Sequence, residues 1–347
     1  MATATDRDHK CRRVAAVRAQ AGGAPLLLTS HEAVAWYLDG VRTHVSLAGP
    51  PVVAVRVDDD GDTLFVADNE ADRLVAEELL PADAARLVRV PWRTPPAVAA
   101  AAAGAATVEA ELAPALRAAR ASLLPGEADR YRALGRETAQ VLTEAAITLG
   151  PRATERDAAA ALAAGLVARG IDPLVVLVAG HGRLPHRHPL PTGEPLGARA
   201  MLVVCGRRHG LIANATRWVG ELGADDERIL AVEAAYFAAT RPGAVLDDAF
   251  AAGCAAYAAA GFDADEWHRH HQGGPTGYAG RDPRATGAEG DVIVEQHAFA
   301  WNPSAPGVKV EDTVLVTAAG VEVLTVDPRW PTVTASGRAR PAARPFD

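Results

Sequence analysis

Two short segments of the chain are rich in histidine, the side chain best suited to proton transfer near neutral pH. The first reads H-G-R-L-P-H-R-H at residues 181–188, and the second reads W-H-R-H-H-Q at residues 267–272. Together their imidazoles could bind zinc, although the spacing matches no known ligand template. The alternative is a pair of polar loops that face water. In the second segment we expect His271 to face a pocket, because a glycine-rich loop follows it at once.

The carboxylate of Glu311 lies in a stretch that reads V-K-V-E-D-T and is predicted to be a strand in an apolar setting. A buried carboxylate there could orient a cationic or amide-bearing substrate, or act as a base or a nucleophile. It could equally be a structural partner of Arg217 or Lys309. Arginine binds carboxylates through a two-pronged fork. We expect Arg281 to hold a substrate in this way and Arg217 to form a structural ion pair.

A thiol adds a third type of chemistry. Cys205 follows Val203 on a predicted strand, and the alternation of side chains along a strand puts both on one face. Beside His186, this thiol could form a Cys–His nucleophile. Such a cysteine is more often a small buried apolar side chain. The chain has 3 cysteines, far apart in the sequence, which predicts no disulfide framework and indicates a reducing cytoplasm.

The elements that must position these groups follow from hydrophobic periodicity and from capping residues. Ser30 is predicted to cap one helix, and Thr154 with Asp157 to form a capping box at the start of another. The predicted helices cover 31–38, the alanine-rich stretch 97–121, 128–149, 154–170, 225–240 and 246–260. The predicted strands cover 52–57, 63–67, 88–92, 174–178, 201–205, 292–295, 308–310, 314–317 and 321–325. Helices between strands that look antiparallel predict an α+β architecture.

Size and charge limit the classes of function. The 347 residues carry a net charge of −8, which argues against a broad nucleic-acid surface. No run approaches the roughly 18 apolar residues of a membrane-spanning helix, and residues 1–13 lack the apolar core of a secretory signal. Two domains of ordinary size are expected, one at residues 1–122 with a linker helix and one at residues 123–347.

Several motifs together resemble the pita-bread superfamily, which includes aminopeptidase P, prolidase, methionine aminopeptidase and the metal-free creatinase. The motifs are L-L-L-T-S-x-E-x-x-A-W-Y-L-D-G at 26–40, P-G-E at 125–127, G-P-R-A-T-E-R-D at 150–157 and G-V-K-V-E-D-T-V-L-V-T at 307–317. The resemblance implies a pita-bread C-terminal domain behind a smaller α/β N-terminal domain of the creatinase type. It also implies a homodimer.

The resemblance places the family's metal-binding positions on residues that mostly cannot bind a metal. Val203 and Asn214 stand where the two aspartates are usual, and Gly274 stands where a histidine is usual. Glu311 matches the second metal glutamate, and the first falls at Glu295 or Gln296. Because a pair of divalent ions needs several oxygen or imidazole ligands, no metal cofactor is expected.

The resemblance also implies a reaction. Creatinase uses the histidine that matches His186 as a general acid and base without metal. We therefore predict a cytoplasmic, metal-independent hydrolase of a C–N bond in a small charged substrate, with Glu311 and Glu295 orienting substrate or water. The residues predicted to contact the substrate are Arg281, His271, Tyr278, Asn214, Trp301 and Cys205, with Arg217 as a further candidate, the alternative to its structural ion pair. Two alternatives stay open, a non-catalytic binding protein and an Xaa-Pro peptidase with a rewired metal site.

Overall fold

The computed structural model describes residues 3–346. The chain divides into two compact units, one of residues 1–127 with 209–211, the other of residues 128–208 with 212–347. The sequence predicted a boundary slightly earlier, between residues 122 and 123. Within the described range, no helix has the length and apolar character that crossing a membrane requires.

The first unit is a five-stranded sheet packed with helices. Its helices are α1 (Ala4–Gln20), α2 (His31–Tyr37), α3 (Asp68–Glu77), α4 (Pro81–Ala84), α5 (Pro96–Ala102) and α6 (Ala113–Ala121). Its strands are β1 (Leu26–Leu28), β2 (Val53–Asp58), β3 (Gly61–Ala67), β4 (Leu87–Val90) and β5 (Thr107–Val108), in the order β4-β3-β2-β1-β5. The helix predicted over residues 97–121 is wrong as a single element, because β5 pairs with β1 and separates α5 from α6. The Ser30 cap is confirmed, since its hydroxyl accepts a hydrogen bond from the Ala33 amide at 3.1 Å.

Helix α1 was not predicted from the sequence, because its buried face is largely polar. Lys10 is fully buried on that face and forms ion pairs with Asp39 at 2.6 Å and Glu127 at 2.7 Å. Arg7 is likewise buried and paired with Asp62 at 2.5 Å. A pattern search looks for apolar residues every three to four positions, so a helix held by buried charges gives it little signal.

In the part of the chain that the structure describes, the second unit combines four small sheets with four α-helices. Its helices are α7 (Pro125–Thr148), which begins in the first unit, α8 (Glu155–Val167), α9 (Asp226–Ala239) and α10 (Leu246–Ala259). Its strands are β6 (Asp172–Ala179), β7 (Arg199–Arg208), β8 (Leu211–Gly220), β9 (Gly273–Pro275), β10 (Ala298–Trp301), β11 (Ser304–Ala305), β12 (Val308–Lys309), β13 (Val314–Thr317), β14 (Gly320–Val323), β15 (Thr332–Ala335) and β16 (Arg338–Pro341). The sheet orders are β6-β7-β8, β14-β13-β10-β9, β11-β12 and β15-β16. This mixture of sheets and helices agrees with the predicted α+β class.

Two sequence predictions in this unit need correction. The strand predicted at residues 292–295 is wrong, because regular pairing begins only at Ala298, in β10. Strand β8 was missed altogether. Strand β8 is buried along nearly its whole length, including its polar residues Asn214, Thr216 and Arg217. Its sequence therefore lacks the alternation of apolar and polar residues that marks a half-buried strand.

The capping box predicted at the start of α8 is confirmed. The Asp157 amide donates to the Thr154 hydroxyl at 3.1 Å, and the Thr154 amide donates to the Asp157 carboxylate at 2.8 Å. Together these bonds satisfy two backbone donors that the first turn of a helix leaves free. The motif therefore fixes where α8 begins, and with it the segment that leads into β6.

Helices α9 and α10 pack on the sheet that contains β10. The Tyr236 ring stacks on the Trp301 ring with centroids 4.4 Å apart, and Trp301 donates its indole N–H to the Thr240 hydroxyl at 2.9 Å. Gly253 lies where the two helices meet, and a Cβ atom there would come within 2.1 Å of the Tyr236 ring. Close approach at Gly253 thus lets the aromatic core form.

Candidate functional site

The wall of the site formed by β6 and β7 is apolar. Val203, on β7, pairs in register with Leu177 on β6, and both belong to a buried cluster with Met201 and Trp218. Val203 is 2% exposed. The resemblance implies a metal-binding aspartate at this position, but the structure has a valine packed against other apolar side chains.

Asn214 lies on β8 and is held by neutral hydrogen bonds. Its backbone amide donates to the Thr313 hydroxyl at 2.7 Å, and its side-chain amide donates to the Thr276 hydroxyl at 3.3 Å. The side chain is buried, and it presents a donor to its neighbour rather than a charged oxygen. It therefore acts as a polar connector between strands.

Gly274 occupies a backbone position that leaves no room for a side chain. It pairs with Ala300 between β9 and β10, and its φ angle is +128°. A Cβ atom at this position would lie 2.9 Å from the Ala285 amide nitrogen. Because L-residues rarely adopt this φ, a histidine here would need both a strained backbone and a displaced neighbour.

Glu311 is the charged centre of the site, and both of its oxygens are taken by cationic side chains. Arg281 donates to Oε1 at 2.7 Å, and Lys309 donates to Oε2 at 2.7 Å. The Thr216 hydroxyl also contacts Oε2, at 3.3 Å. Burial raises the pKa of Glu311, but Lys309 and Arg281 outweigh that effect and lower it to about 2. The carboxylate is thus ionised and already neutralised by protein groups.

Three histidines lie together beside this ion cluster: His188, His270 and His271 each offer a ligand atom, and these atoms lie within 4.8 Å of one another. His188 Nε2 is 3.2 Å from His270 Nε2. The two segments that carry them are joined by an ion pair between Arg187 and Glu266. His188, His270 and His271 together form the histidine triad.

Burial and nearby cations disfavour the charged form of these imidazoles. Burial is the largest cause for each, and Lys309 adds to it for His270 and Arg281 for His271. The pKa of His270 falls to about 2 and that of His271 to about 4. The pKa of His188 is also lowered, again first by burial and then by Lys309. At neutral pH the uncharged form of the triad is favoured, and this is the form that binds a ligand through its nitrogen lone pairs.

The other residues predicted for the site divide between the surface and the core. His186 and Glu295 are exposed. Arg217 is buried and paired with Asp312 at 2.9 Å, rather than with Glu311. Trp301 is fully buried in the aromatic core described above, where it packs rather than lining an opening.

Cys205 and Tyr278, two further residues predicted to contact the substrate, are partly or fully buried. Cys205 is half-buried on β7, and burial raises the pKa of its thiol to about 12. The thiol is therefore protonated at neutral pH, which disfavours the nucleophile considered from the sequence. Tyr278 is buried, at 3% exposed.

Sequence reasoning did not assign Lys309 to the site, and considered His188 and His270 only as members of a possible zinc cluster. A signal for Lys309 was present. It stands two residues before Glu311, and positions two apart on an extended segment share a face. For the histidines no such signal exists, because the contact joins segments that are far apart in the chain.

The sequence model of metallopeptidase family M24 matches residues 129–318, more than half of the chain. The chain belongs to metallopeptidase family M24. Its fold is the pita-bread fold, as the resemblance implied, and the family is one of hydrolases. Among curated proteins, none matches the sequence.

Solved structures with the same fold are distant in sequence. The dipeptidase PepE from Mycobacterium ulcerans is 22% identical, with a TM-score of 0.74 over 93% of this chain and 96% of that one. The prolidase from Pyrococcus horikoshii OT3 is 16% identical, with a TM-score of 0.73 over 92% and 99%. The N-terminal domain of the FACT complex subunit SPT16 from chickpea (Cicer arietinum) is 12% identical, with a TM-score of 0.66 over 92% and 97%. The neighbours therefore include proteins named as peptidases and one named as a complex subunit.

The residues of this M24 chain do not fit the metal pair that the resemblance implies. Val203 lies in apolar packing, Asn214 donates to a hydroxyl, and Gly274 has no space for a ligand. The remaining carboxylate, Glu311, is bound on both oxygens by Lys309 and Arg281. A hard divalent ion needs several oxygen ligands, and it would have to displace Arg281 or Lys309 to gain even one from Glu311.

Proposed function

We propose that this M24 chain is a cytoplasmic, metal-independent hydrolase of a C–N bond in a small charged substrate, either amino-acid-derived or non-peptide. The observation that carries the proposal is the engagement of Glu311 by Lys309 and Arg281 at 2.7 Å each. In this arrangement fixed protein charges supply the electrostatic field that metal ions would otherwise supply. Water adds to the carbon, the C–N bond breaks, and a proton passes to the leaving nitrogen.

Buried polar atoms with no partner support a polar substrate. The Arg281 Nε and the His271 Nδ1 are both buried, and neither has a hydrogen-bond partner among the described residues. Buried donors left without partners are costly, so a bound ligand that accepts from Arg281 would be stabilised. The cations of the cluster favour an anionic group on that ligand.

Proton transfer requires a titratable side chain within reach of the reacting atoms, most often a histidine. The resemblance assigns this role to His186, which is exposed. His188 follows two residues later and contacts His270, so it is a second candidate for the same role. Variants of the two residues distinguish them.

The test is hydrolysis by protein that has been dialysed against a chelator. The substrate panel contains Xaa-Pro dipeptides, N-acyl amino acids, and guanidino and ureido acids. We expect turnover of one of the small charged substrates with EDTA present. Activity that disappears with EDTA and returns with manganese or cobalt would overturn the proposal.

Three variants then assign the proton-transfer residue. Replacing the acid–base histidine by alanine should reduce kcat by about 10²- to 10⁴-fold. We compare His186→Ala with His188→Ala, and use His268→Ala as the control, because His268 is exposed in the same histidine-rich segment. If His186→Ala and His188→Ala both keep full activity, neither histidine transfers the proton.

Two observations favour alternative functions, and the same assays separate them. The SPT16 neighbour shares the fold at 12% identity and is named as a complex subunit, which favours a non-catalytic binding protein. That alternative predicts no turnover of any substrate in the panel. The histidine triad favours a peptidase with a rewired metal site. That alternative predicts cleavage of Xaa-Pro dipeptides only when a metal is present.

A further inference from the structure

We propose that His188, His270 and His271 form a binding site for one transition-metal ion, separate from the positions of the family's metal pair. Their ligand atoms lie within 4.8 Å of one another. Among the described residues this is the single cluster of histidine, cysteine or acidic side chains with that geometry. The inference goes beyond the proposed function, because it concerns binding and does not depend on turnover.

The distance between two of the imidazoles already suits a shared ion. His188 Nε2 and His270 Nε2 are 3.2 Å apart. Zinc binds histidine nitrogen at about 2.0–2.1 Å in tetrahedral geometry, which places neighbouring ligand nitrogens roughly 3.3–3.4 Å apart. An ion between these two rings therefore needs little movement of either. His188 is exposed, so its ring has freedom to adjust.

The buried member of the triad is oriented from its other side. His270 Nδ1 is 2.9 Å from the Ser304 hydroxyl, and the Ser304 backbone amide donates to the Tyr257 hydroxyl at 2.9 Å. A histidine ligand commonly has its second ring nitrogen fixed by such a partner, which sets the orientation of the ring. His271 Nδ1 is buried and has no hydrogen-bond partner among the described residues. A His271 ring nitrogen lies within 4.8 Å of the ligand atoms of the other two histidines.

The charges around the triad decide which ion it accepts. Arg281 and Lys309 are bound to Glu311, and Arg284 adds a further positive charge near His188 and His271. These positive charges repel cations, so an ion that the imidazoles bind only weakly should not be retained. Imidazole binds zinc, nickel, copper and cobalt far better than magnesium, calcium or manganese. The site should therefore select the first group, with one ion per chain.

The probe is Co²⁺, whose visible absorption reports coordination by nitrogen, together with calorimetric titration of Zn²⁺ into metal-free full-length protein. We expect one ion per chain. His188→Ala and His271→Ala should each weaken binding by more than about 100-fold, since loss of an outer-shell partner alone costs about 10- to 100-fold. Ser304→Ala should fall within that smaller range, because it removes only the partner of His270.

The matched control is His268→Ala, which removes an exposed histidine from the same segment and should bind as the unaltered protein does. Arg284→Gln should tighten binding a few-fold, because it removes one exposed positive charge near the ion. Absence of Co²⁺ binding at micromolar concentration, or unchanged binding in both His188→Ala and His271→Ala, overturns the inference.

These outcomes are independent of the hydrolase assay. Bound zinc would occupy imidazole lone pairs, so in an active enzyme we expect zinc to inhibit and EDTA to restore turnover. A protein that binds Co²⁺ but hydrolyses nothing keeps the metal site and loses the proposed function. A chelator-treated protein that is fully active but never binds Co²⁺ would support the proposed function and overturn the metal site.

Discussion

At the scale of single residues, the metal positions implied by the resemblance are each altered in a different physical way. Val203 replaces an oxygen ligand with apolar packing, and Gly274 removes both the side chain and the space for it. Glu311 is retained, but its charge is used by Lys309 and Arg281. Restoring one ligand would thus leave the others in conflict with a metal pair.

Replacing Glu311 with glutamine should destabilise the protein strongly. The change leaves Lys309 and Arg281 largely buried without their counter-charge, and loss of one partner from a buried pair costs about 3–5 kcal/mol. The measurement is the free energy of unfolding from urea denaturation at neutral pH. Glu295→Gln is the control, because Glu295 is exposed, and it should change stability by no more than about 0.5 kcal/mol. Equal stability of the two variants would contradict a structural role for the ion cluster.

His297 should make the protein sensitive to mild acid. Burial is the largest cause that lowers its pKa, with Asp282 and Asp291 opposing, and the result is about 4. The folded state therefore resists protonation while the unfolded state, with a pKa of about 6.5, accepts it. The contribution of His297 is fully present above pH 6.5 and is lost as pH falls toward 4.

The test compares the unaltered protein with His297→Gln, which has no imidazole to protonate. Between pH 7 and pH 4 the unaltered protein should lose about 3 kcal/mol more unfolding free energy than the variant. Chemical denaturation at several pH values measures the difference. Parallel curves for the two proteins would mean that His297 titrates normally in the folded state.

At the scale of elements, the site depends on helices and strands that hold its segments at fixed spacing. Strand β8 carries Asn214 and Thr216, and the bridge between Ala215 and Asp312 brings it beside Glu311. The packing of α9 on α10 supports the sheet that carries β9 and β10. A substitution that disturbs the packing of α9 on α10 should therefore lower the stability of the folded protein.

Gly253→Ala tests this packing. The added Cβ would meet the Tyr236 ring at 2.1 Å, and overpacking in a core typically costs about 1–3 kcal/mol. Thermal unfolding should show a clearly lower Tm. Gly182→Ala is the matched control, because nothing lies within 4 Å of its Cβ position, and its Tm should be unchanged or slightly higher. A Tm for Gly253→Ala equal to that of the control would show that the helices can move apart freely.

At the scale of the whole molecule, we expect a homodimer, since the resemblance to creatinase and prolidase implies one. A stable interface of this kind buries about 1,200–2,000 Å², so the dimer should persist at micromolar concentration. Sedimentation equilibrium should give twice the mass of the chain. A single species with the mass of one chain would contradict the expectation.

Much of the fold was predictable because local signals agreed with it. The Ser30 cap and the Thr154 capping box mark helix starts, and the last strands follow apolar runs. Prediction failed for α1, where buried charges replace an apolar stripe, and for β8, where burial on both faces removes alternation. Both failures occur where tertiary contacts, rather than local pattern, stabilise the element.

The sequence predicted the α+β class from its pattern of helices and strands, and the resemblance of its motifs to a known family implied the pita-bread fold, because residue types and their spacing carry that information. Only the tertiary structure decided that Lys309 and Arg281 occupy both oxygens of Glu311, and that His188 meets His270 and His271. Those contacts join segments far apart in the chain, and their distances are set by the packing of whole elements. The sequence therefore supplies the residue types of this site, and the fold determines which of them contact one another.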